Sequence, residues 1–230
     1  MKRLWLLSLI ALCVTACAQV NPNTLVDADK FETGIQDKNV QVLDVRTESE
    51  FQSGHIKHAM LANWNNTQQF RDRVQYIDKD KPVYVYCLVG GRSAAAATWM
   101  RQNGYKNVIE LQGGINAWKK AGKTLENVTS EKQMTIEEYK TLVSKNKIVL
   151  ADIGADWCPP CIKMKPVIDS LQKDNHLRFD LVKIDAGIHT DVLKELNIDP
   201  IPVFIIYKNG KEVWRKEGIV NKEELATQLR

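Results

Sequence analysis

Cys158 and Cys161 are separated by two residues, a spacing that lets one helical turn close a disulfide. The apolar run 148–153 comes before them and is typical of a strand buried on both faces. After Cys161 apolar residues recur at i, i+3, i+4 and i+7, namely Met164, Val167, Ile168 and Leu171. The sequence therefore predicts a strand, the two cysteines and a helix, an order that is typical of a redox dithiol.

The predicted helix start gives the first cysteine its reactivity. Cys158 falls where unpaired N–H groups and the positive end of the helix dipole stabilise a thiolate. Pro159 and Pro160 fit the first turn, which does not need their missing N–H groups. Cys161 is placed to resolve a mixed disulfide made by Cys158. A zinc half-site and a static disulfide are the alternatives, and the other cysteines and histidines offer no second ligand pair.

Cys87 is a second candidate centre, again between an apolar strand and a helix, where ligands gather in parallel sheets. Glycines after it let successive N–H groups turn inward as an anion nest, and Arg92 adds positive charge. We expect a nucleophilic thiolate with a lowered pKa, the alternative being a buried cysteine that only packs. The loop consists of Leu88, Val89, Gly90, Gly91, Arg92 and Ser93.

The elements around these cysteines predict an α/β fold in two domains, which suits a chain of 230 residues. Short apolar strands alternate with helical stretches, so at least the first sheet should be parallel. The predicted boundaries are 25–123 for the first domain, 124–133 for the linker and 134–230 for the second domain. The linker is too short to let the domains move independently.

Residues 1–17 carry Lys2 and Arg3 and then an apolar stretch of signal-peptide length. They end in Val-Thr-Ala-Cys, which resembles the bacterial lipobox and implies lipid attachment at Cys17, with 18–24 as a tether. An ordinary secretory signal is the alternative. The formal charge is +4 with this segment and +2 without Lys2 and Arg3, which gives no case for nucleic acid.

The first domain resembles a single-domain rhodanese in three segments that follow one another in the same order. They are LDVRTESEFQSGHIKHA, CLVGGRS and LQGGINAW. The resemblance implies that Cys87 carries a persulfide, that amides of 88–93 cradle it, and that Arg92 helps bind an anionic donor such as thiosulfate. Asp44 and Arg46 match a strand-end pair that we expect to be structural. Cysteine phosphatases have one residue more between cysteine and arginine, so the loop fits a sulfur atom better than a phosphate.

The second domain resembles thioredoxin in its WCPPC motif, which contains Trp157, and beyond it. The resemblance implies that Asp152 is a buried acid that exchanges a proton with Cys161, and that Pro202 is a cis-proline beside the sulfurs. Where thioredoxin has Gly-Pro between its cysteines this chain has Pro-Pro, which leaves the redox direction open. The thioredoxin-like features favour a reductase.

Together these features predict a lipid-anchored enzyme of the cell envelope, facing the periplasm or the surface, with no cofactor and no metal. Its expected partners are disulfide-containing envelope proteins, an electron donor in the membrane or periplasm, and a small sulfane-sulfur donor. Cys158 and Cys161 could resolve a persulfide on Cys87, or the two domains could act separately. The non-enzymatic alternative is a redox sensor, or a rhodanese domain that docks partners, attached to a disulfide reductase.

Overall fold

A computed structural model describes residues 24–126 and 132–230 of the chain. The signal peptide, Cys17 and most of the tether, all predicted from the sequence, lie outside these residues. None of the helices in the described ranges is both long enough and apolar enough to cross a membrane.

The N-terminal unit is built on a five-stranded parallel sheet in the order β1-β5-β4-β2-β3. Because the strands are parallel, the carboxyl ends of β2, β3 and β4 lie at the same end of the sheet. Strand β3 is an edge strand of this sheet. The elements are β1 (Leu25–Val26), α1 (Ala28–Gly34), β2 (Gln41–Asp44), α2 (Glu48–Gln52), β3 (Ala59–Leu61), α3 (Thr67–Val74), β4 (Val83–Tyr86), α4 (Gly91–Gln102), β5 (Val108–Leu111) and α5 (Gly114–Lys120).

The C-terminal unit has a four-stranded mixed sheet in the order β7-β6-β8-β9, in which only the β6–β7 pair is parallel. A tight turn at Asn209-Gly210 joins β8 to β9, and both residues have positive φ. The elements are α6 (Ile136–Ser144), β6 (Ile148–Gly154), α7 (Pro159–Gln172), β7 (Asp180–Asp185), α8 (Thr190–Glu195), β8 (Val203–Lys208), β9 (Lys211–Glu217) and α9 (Lys222–Gln228).

Each sheet has an apolar core on both faces, which confirms the predicted two-domain α/β fold class. The central strands β2, β4, β6 and β8 are almost wholly buried, as their continuous apolar runs predict. A capping box is present at α6, where the Thr135 hydroxyl accepts the Glu138 backbone N–H and the Glu138 carboxylate accepts the Thr135 backbone N–H.

The sequence did not predict β3 or α2, and both prove to lie where the two units meet. The α2 helix begins at a capping box formed by Thr47 and Glu50. Trp157 packs against the core of the N-terminal unit as well as its own, so the two cores are joined at this residue.

Candidate functional site

The dithiol lies at the junction of β6 and α7. Cys158 is the N-cap residue of α7, and two prolines occupy the first helical positions. Cys158 and Cys161 are joined in a disulfide, so the structure shows the oxidised form of the pair. The helix start places the Cys158 sulfur at the positive end of a dipole, where its reduced form would be stabilised as an anion.

The Ile201–Pro202 peptide is cis and lies beside this disulfide. The Sγ of Cys158 is 3.7 Å from the carbonyl oxygen of Ile201. Cys158 is 0% exposed and Cys161 8% exposed, so the first cysteine is the better covered of the two. A nucleophile that must meet a protein disulfide is therefore closed off in this arrangement.

Asp152 lies on β6 and shares a cleft of about 470 Å³ with Cys161, Lys165 and Lys183. Burial raises the pKa of Asp152 to about 6, and the positive charges of Lys183 and Lys165 oppose that rise. A carboxyl that titrates near neutral pH can take or give a proton, which fits the role implied by the thioredoxin resemblance. Gly154 keeps the cleft open, since a Cβ there would lie 3.1 Å from the Cys161 Sγ.

Cys87 directly follows β4 and is the free thiol of the described residues. Its Sγ accepts hydrogen bonds from the Gly90 N–H at 3.1 Å and the Ser93 hydroxyl at 3.4 Å. Burial acts to raise its pKa, but hydrogen bonds from Ser93, Gly90 and Val89 outweigh it, and the net pKa is lowered. The loop thus surrounds the Cys87 sulfur with hydrogen-bond donors that favour its ionised form.

The loop residues fall into two groups around this sulfur. Gly90 has φ 109° and is the N-cap of α4, which begins at Gly91. Ser93 is buried beside the thiol, whereas Leu88 and Val89 are exposed at the rim, 37% and 62% respectively. Leu88 and Val89 thus form an exposed apolar rim beside the Cys87 sulfur.

The start of α5 supports the loop from below. The N–H groups of Ile115 and Asn116 donate to the carbonyl oxygens of Cys87 and Leu88 at 2.8 and 3.1 Å. Gly114 has φ 61°, and a Cβ there would lie 2.5 Å from the Cys87 carbonyl oxygen. Only glycine allows this close approach of two backbones.

Arg92 is held by a residue that the sequence did not single out for chemistry. Its guanidinium makes a bidentate ion pair with Glu50, with distances of 2.8 and 2.6 Å. The hydrogen bond from Arg92 lowers the pKa of Glu50 to about 2. Glu50 thus neutralises much of the Arg92 charge that the sequence analysis assigned to donor binding. The pairing was not predicted, because the two residues are 42 positions apart and no local pattern links them.

Asp44 and Arg46 form a buried pair, as expected of a structural strand-end feature. The guanidinium of Arg46 donates to both carboxylate oxygens of Asp44 at 2.7 to 3.0 Å and to the Gly54 carbonyl at 2.8 Å. These bonds fasten the end of β2 to the segment that follows α2.

Trp157 lies between the two units. Its ring is 5.7 Å from the ring of Phe51, which also stacks on the ring of His55 at 3.8 Å. The Arg73 guanidinium carbon lies 5.3 Å from the indole centre, and the Trp157 carbonyl accepts the Leu61 N–H at 2.8 Å. Phe51, Leu61 and Arg73 were missed from the sequence, because their roles depend on contacts with a distant segment.

Within the described ranges, no group of three or more His, Cys, Asp or Glu side chains is arranged to hold a metal ion. The fold and the sites define a two-domain α/β protein with one dithiol and one cradled thiol, each at a strand-to-helix junction.

Family models assign both parts of the chain. The model for the rhodanese-like domain matches residues 27–121, and the model for thioredoxin matches residues 130–230. The chain therefore carries a rhodanese-like domain followed by a thioredoxin domain. The two resemblances stated from the sequence are confirmed, while the lipoprotein signal stays a prediction.

Individual relatives each match part of the chain. Chloroplastic thioredoxin Y from Oryza sativa subsp. japonica is 34% identical over 99 residues, covering 43% of this chain and 59% of that protein. Thioredoxin H2 from Arabidopsis thaliana is 36% identical over 87 residues, covering 38% and 64%. The tRNA uridine(34) hydroxylase of Streptococcus pneumoniae serotype 19F (strain G54) is 31% identical over 134 residues, covering 56% and 40%. The chain thus spans less than two thirds of the length of these relatives.

Proposed function

We propose that this protein is a protein-disulfide reductase that also carries a rhodanese-type sulfurtransferase centre. The observation that carries the proposal is the pair of strand-to-helix junctions, each holding a cysteine where a thiolate is stabilised: Cys158 at the start of α7 and Cys87 in its loop. Pro202, Asp152 and Trp157 surround the first, and Arg92 and the 88–93 amides surround the second.

In the reductase reaction the Cys158 thiolate attacks a substrate disulfide, and one substrate thiolate leaves. The Cys161 thiolate then attacks the Cys158 sulfur and releases the second substrate thiol. Asp152 is placed to accept the Cys161 proton, since burial raises its pKa to about 6. The enzyme is left as the disulfide seen in the structure, and an envelope dithiol donor must supply two electrons to restore it.

In the sulfurtransferase reaction the Cys87 thiolate attacks the outer sulfur of thiosulfate, and sulfite leaves. The persulfide that forms lies under the N–H groups of the loop, which stabilise its charge. Transfer to a thiol acceptor returns Cys87 to its starting state. Arg92 would contribute to donor binding once Glu50 shares or releases it.

The two centres could also act in sequence. The Cys158 thiolate would take the outer sulfur from Cys87, and the Cys161 thiolate would attack the Cys158 sulfur and release sulfide, leaving the disulfide. A short linker keeps the effective concentration of one centre at the other high. Comparing sulfide release from loaded Cys87 in wild type and Cys158→Ser tests this step, because equal rates exclude it.

The decisive measurement for the reductase is the reduction potential of the Cys158–Cys161 pair. A reduction potential of about −270 mV identifies a reductant, and a potential of about −120 mV identifies an oxidant. Insulin-type disulfide reduction should persist in Cys87→Ala and vanish in Cys158→Ser. Turnover of thiosulfate should show the opposite dependence, and a chain that turns over neither substrate would favour the redox-sensor or docking alternative.

We further propose that the protein works in the cell envelope, attached through lipidated Cys17, on disulfide-containing envelope proteins. The lipobox-like end of residues 1–17 supports this location. Metabolic labelling with a fatty acid, compared between wild type and Cys17→Ala, tests it, since equal labelling would exclude lipidation at this residue.

A further inference from the structure

We infer that the rhodanese-like domain is a removable cap on the dithiol. In the closed arrangement its edge strand β3 and Arg73 occupy the surface through which a substrate segment would reach Cys158. The inference rests on the proposed redox role of Cys158 and adds a regulation of that site.

The first support is the main chain of Leu61, at the end of β3. Strand β3 is an edge of the five-stranded sheet, so one row of its polar groups has no strand partner. The Leu61 N–H donates to the Trp157 carbonyl at 2.8 Å, directly before Cys158 in the chain. The Leu61 carbonyl accepts from Arg73 at 3.1 Å. The thioredoxin domain thus supplies one main-chain acceptor to the edge, the kind of partner that a peptide added to a sheet would supply.

The second support is the Arg73 side chain, which is 6% exposed although it carries a charge. It lies over the Trp157 indole at 5.3 Å, a cation–π arrangement that gains strength when water is excluded. Burial lowers the pKa of Arg73 to about 10, and the negative charges of Glu48 and Asp199 oppose that change. Asp199 belongs to the thioredoxin domain and lies just before the cis-proline, so it attracts Arg73 across the interface.

The third support is that clefts interrupt the contact between the domains. Two clefts are lined by residues of both domains. One of about 920 Å³ includes Met60 and Pro159, and the other of about 280 Å³ includes Arg73 and Pro160. Open space thus lies at both residues that follow Cys158 in the chain, and a contact interrupted in this way can open without unfolding either domain.

The same contacts indicate what replaces the cap. The Trp157 carbonyl needs a main-chain N–H, and the indole face accepts a cationic or apolar side chain. Both are offered by an extended polypeptide segment beside a disulfide. The partner class is thus an unfolded or extended protein substrate that competes with β3 for the same surface.

The test measures how fast a bulky maleimide reacts with Cys158 in the reduced full-length protein, with peptide mass spectrometry separating Cys158 from Cys87 and Cys161. Asp199→Lys places a like charge opposite Arg73 without altering the rhodanese-like domain. We expect the rate to rise about tenfold, because the variant replaces the attraction between Asp199 and Arg73 by a repulsion between two positive charges. Arg73→Ala should raise it similarly.

Matched controls are Glu195→Lys, an equal charge reversal on exposed α8, and Arg71→Ala, an exposed arginine on the same helix as Arg73. Neither should change the rate. Retained thiosulfate turnover would show that Arg73→Ala still folds.

The inference is overturned if wild type reacts as fast as Asp199→Lys, or if the controls accelerate Cys158 equally. A chain whose Cys158 is unmasked by Asp199→Lys yet reduces no disulfide would refute the reductase proposal and leave the cap standing.

Discussion

Glu50 and Phe51 are consecutive residues of α2 and contact the two different sulfur sites. Glu50 pairs with Arg92 of the Cys87 loop at 2.6 Å, and the ring of Phe51 lies 5.7 Å from that of Trp157 beside Cys158. Gln52, the next residue, donates to the Gly187 carbonyl of the thioredoxin domain at 3.5 Å. One short helix thus contacts the Cys87 loop through Glu50 and the residue before Cys158 through Phe51.

Replacing Glu50 by Gln should weaken the rhodanese-like domain in a pH-dependent way. The pKa of Glu50 is lowered to about 2 in the folded state, so its stabilisation is present above its ordinary pKa and is lost as pH falls toward 2. We expect a loss of about 1 kcal/mol at pH 7, since the pair is partly solvated, and little loss near pH 2. Thermal unfolding of Glu50→Gln and of the exposed control Glu137→Gln, at several pH values, measures it. A loss that does not vary with pH would contradict the ion pair as its source.

The Cys87 thiolate should depend on the Ser93 hydroxyl. Because that hydrogen bond lowers the pKa of Cys87, Ser93→Ala should move the pH profile of Cys87 alkylation upward. A shift of about one unit reduces the thiolate at neutral pH by up to about tenfold, while rates at high pH converge. Thr98→Ala, an exposed hydroxyl on the same helix, is the matched control. Identical profiles for Ser93→Ala and wild type would exclude this role.

The ionised Asp152 carboxylate should lower the free energy of unfolding at neutral pH, although the same group takes part in the reaction. Its folded pKa of about 6 lies above its ordinary value, so the buried charge destabilises the fold increasingly from about pH 4 to pH 6. The free energy of unfolding of Asp152→Asn should therefore exceed that of wild type by about 1–2 kcal/mol at pH 7, a figure discounted for partial exposure. Near pH 4 the two proteins should be equally stable.

The same variant should slow disulfide reduction by roughly tenfold or more, because Cys161 loses its proton acceptor. Asp169→Asn, an exposed acid of the same cleft, should change neither property. An unchanged pH–rate profile in Asp152→Asn, measured under single-turnover conditions, would remove Asp152 from the proton transfer.

Gly114→Ala should damage the Cys87 loop more than a positive φ alone explains. Its Cβ would lie 2.5 Å from the Cys87 carbonyl oxygen and 2.7 Å from Leu88 backbone atoms, so the loop must move. Gly122→Ala is the matched control, with φ 70° and no atom within 4 Å of its Cβ. We expect about 1 kcal/mol lost for Gly122→Ala, and clearly more, with slower Cys87 alkylation, for Gly114→Ala. Equal losses in the two variants would contradict the proposed support of the loop by α5.

The parts that the sequence predicts are those with a local signal. The spacing of Cys158 and Cys161 and the helical pattern after them indicate the redox pair. The Gly90-Gly91 pair indicates the anion nest around Cys87. The capping box at Thr135 and the turn at Asn209-Gly210 likewise have a local signal, in the spacing of Thr135 and Glu138 and in the Asn-Gly pair.

What the sequence does not predict is decided by contacts between distant segments. Strand β3 has only three residues and too little alternation to be recognised, and its edge position follows from the whole strand order. The pairing of Arg92 with Glu50 and of Arg73 with Trp157 spans many residues, so no window of sequence contains both members. The cap on Cys158 could not be inferred from either domain alone.

The edge of β3 has a consequence for a fragment that contains the rhodanese-like domain alone. The Leu61 carbonyl keeps its bond to Arg73 within that domain, but the Leu61 N–H loses the Trp157 carbonyl as its acceptor. This N–H then lies open at a sheet edge, where another chain can pair with it. Each opening of the dithiol exposes the same group, so the second domain also protects the first from self-association at this point.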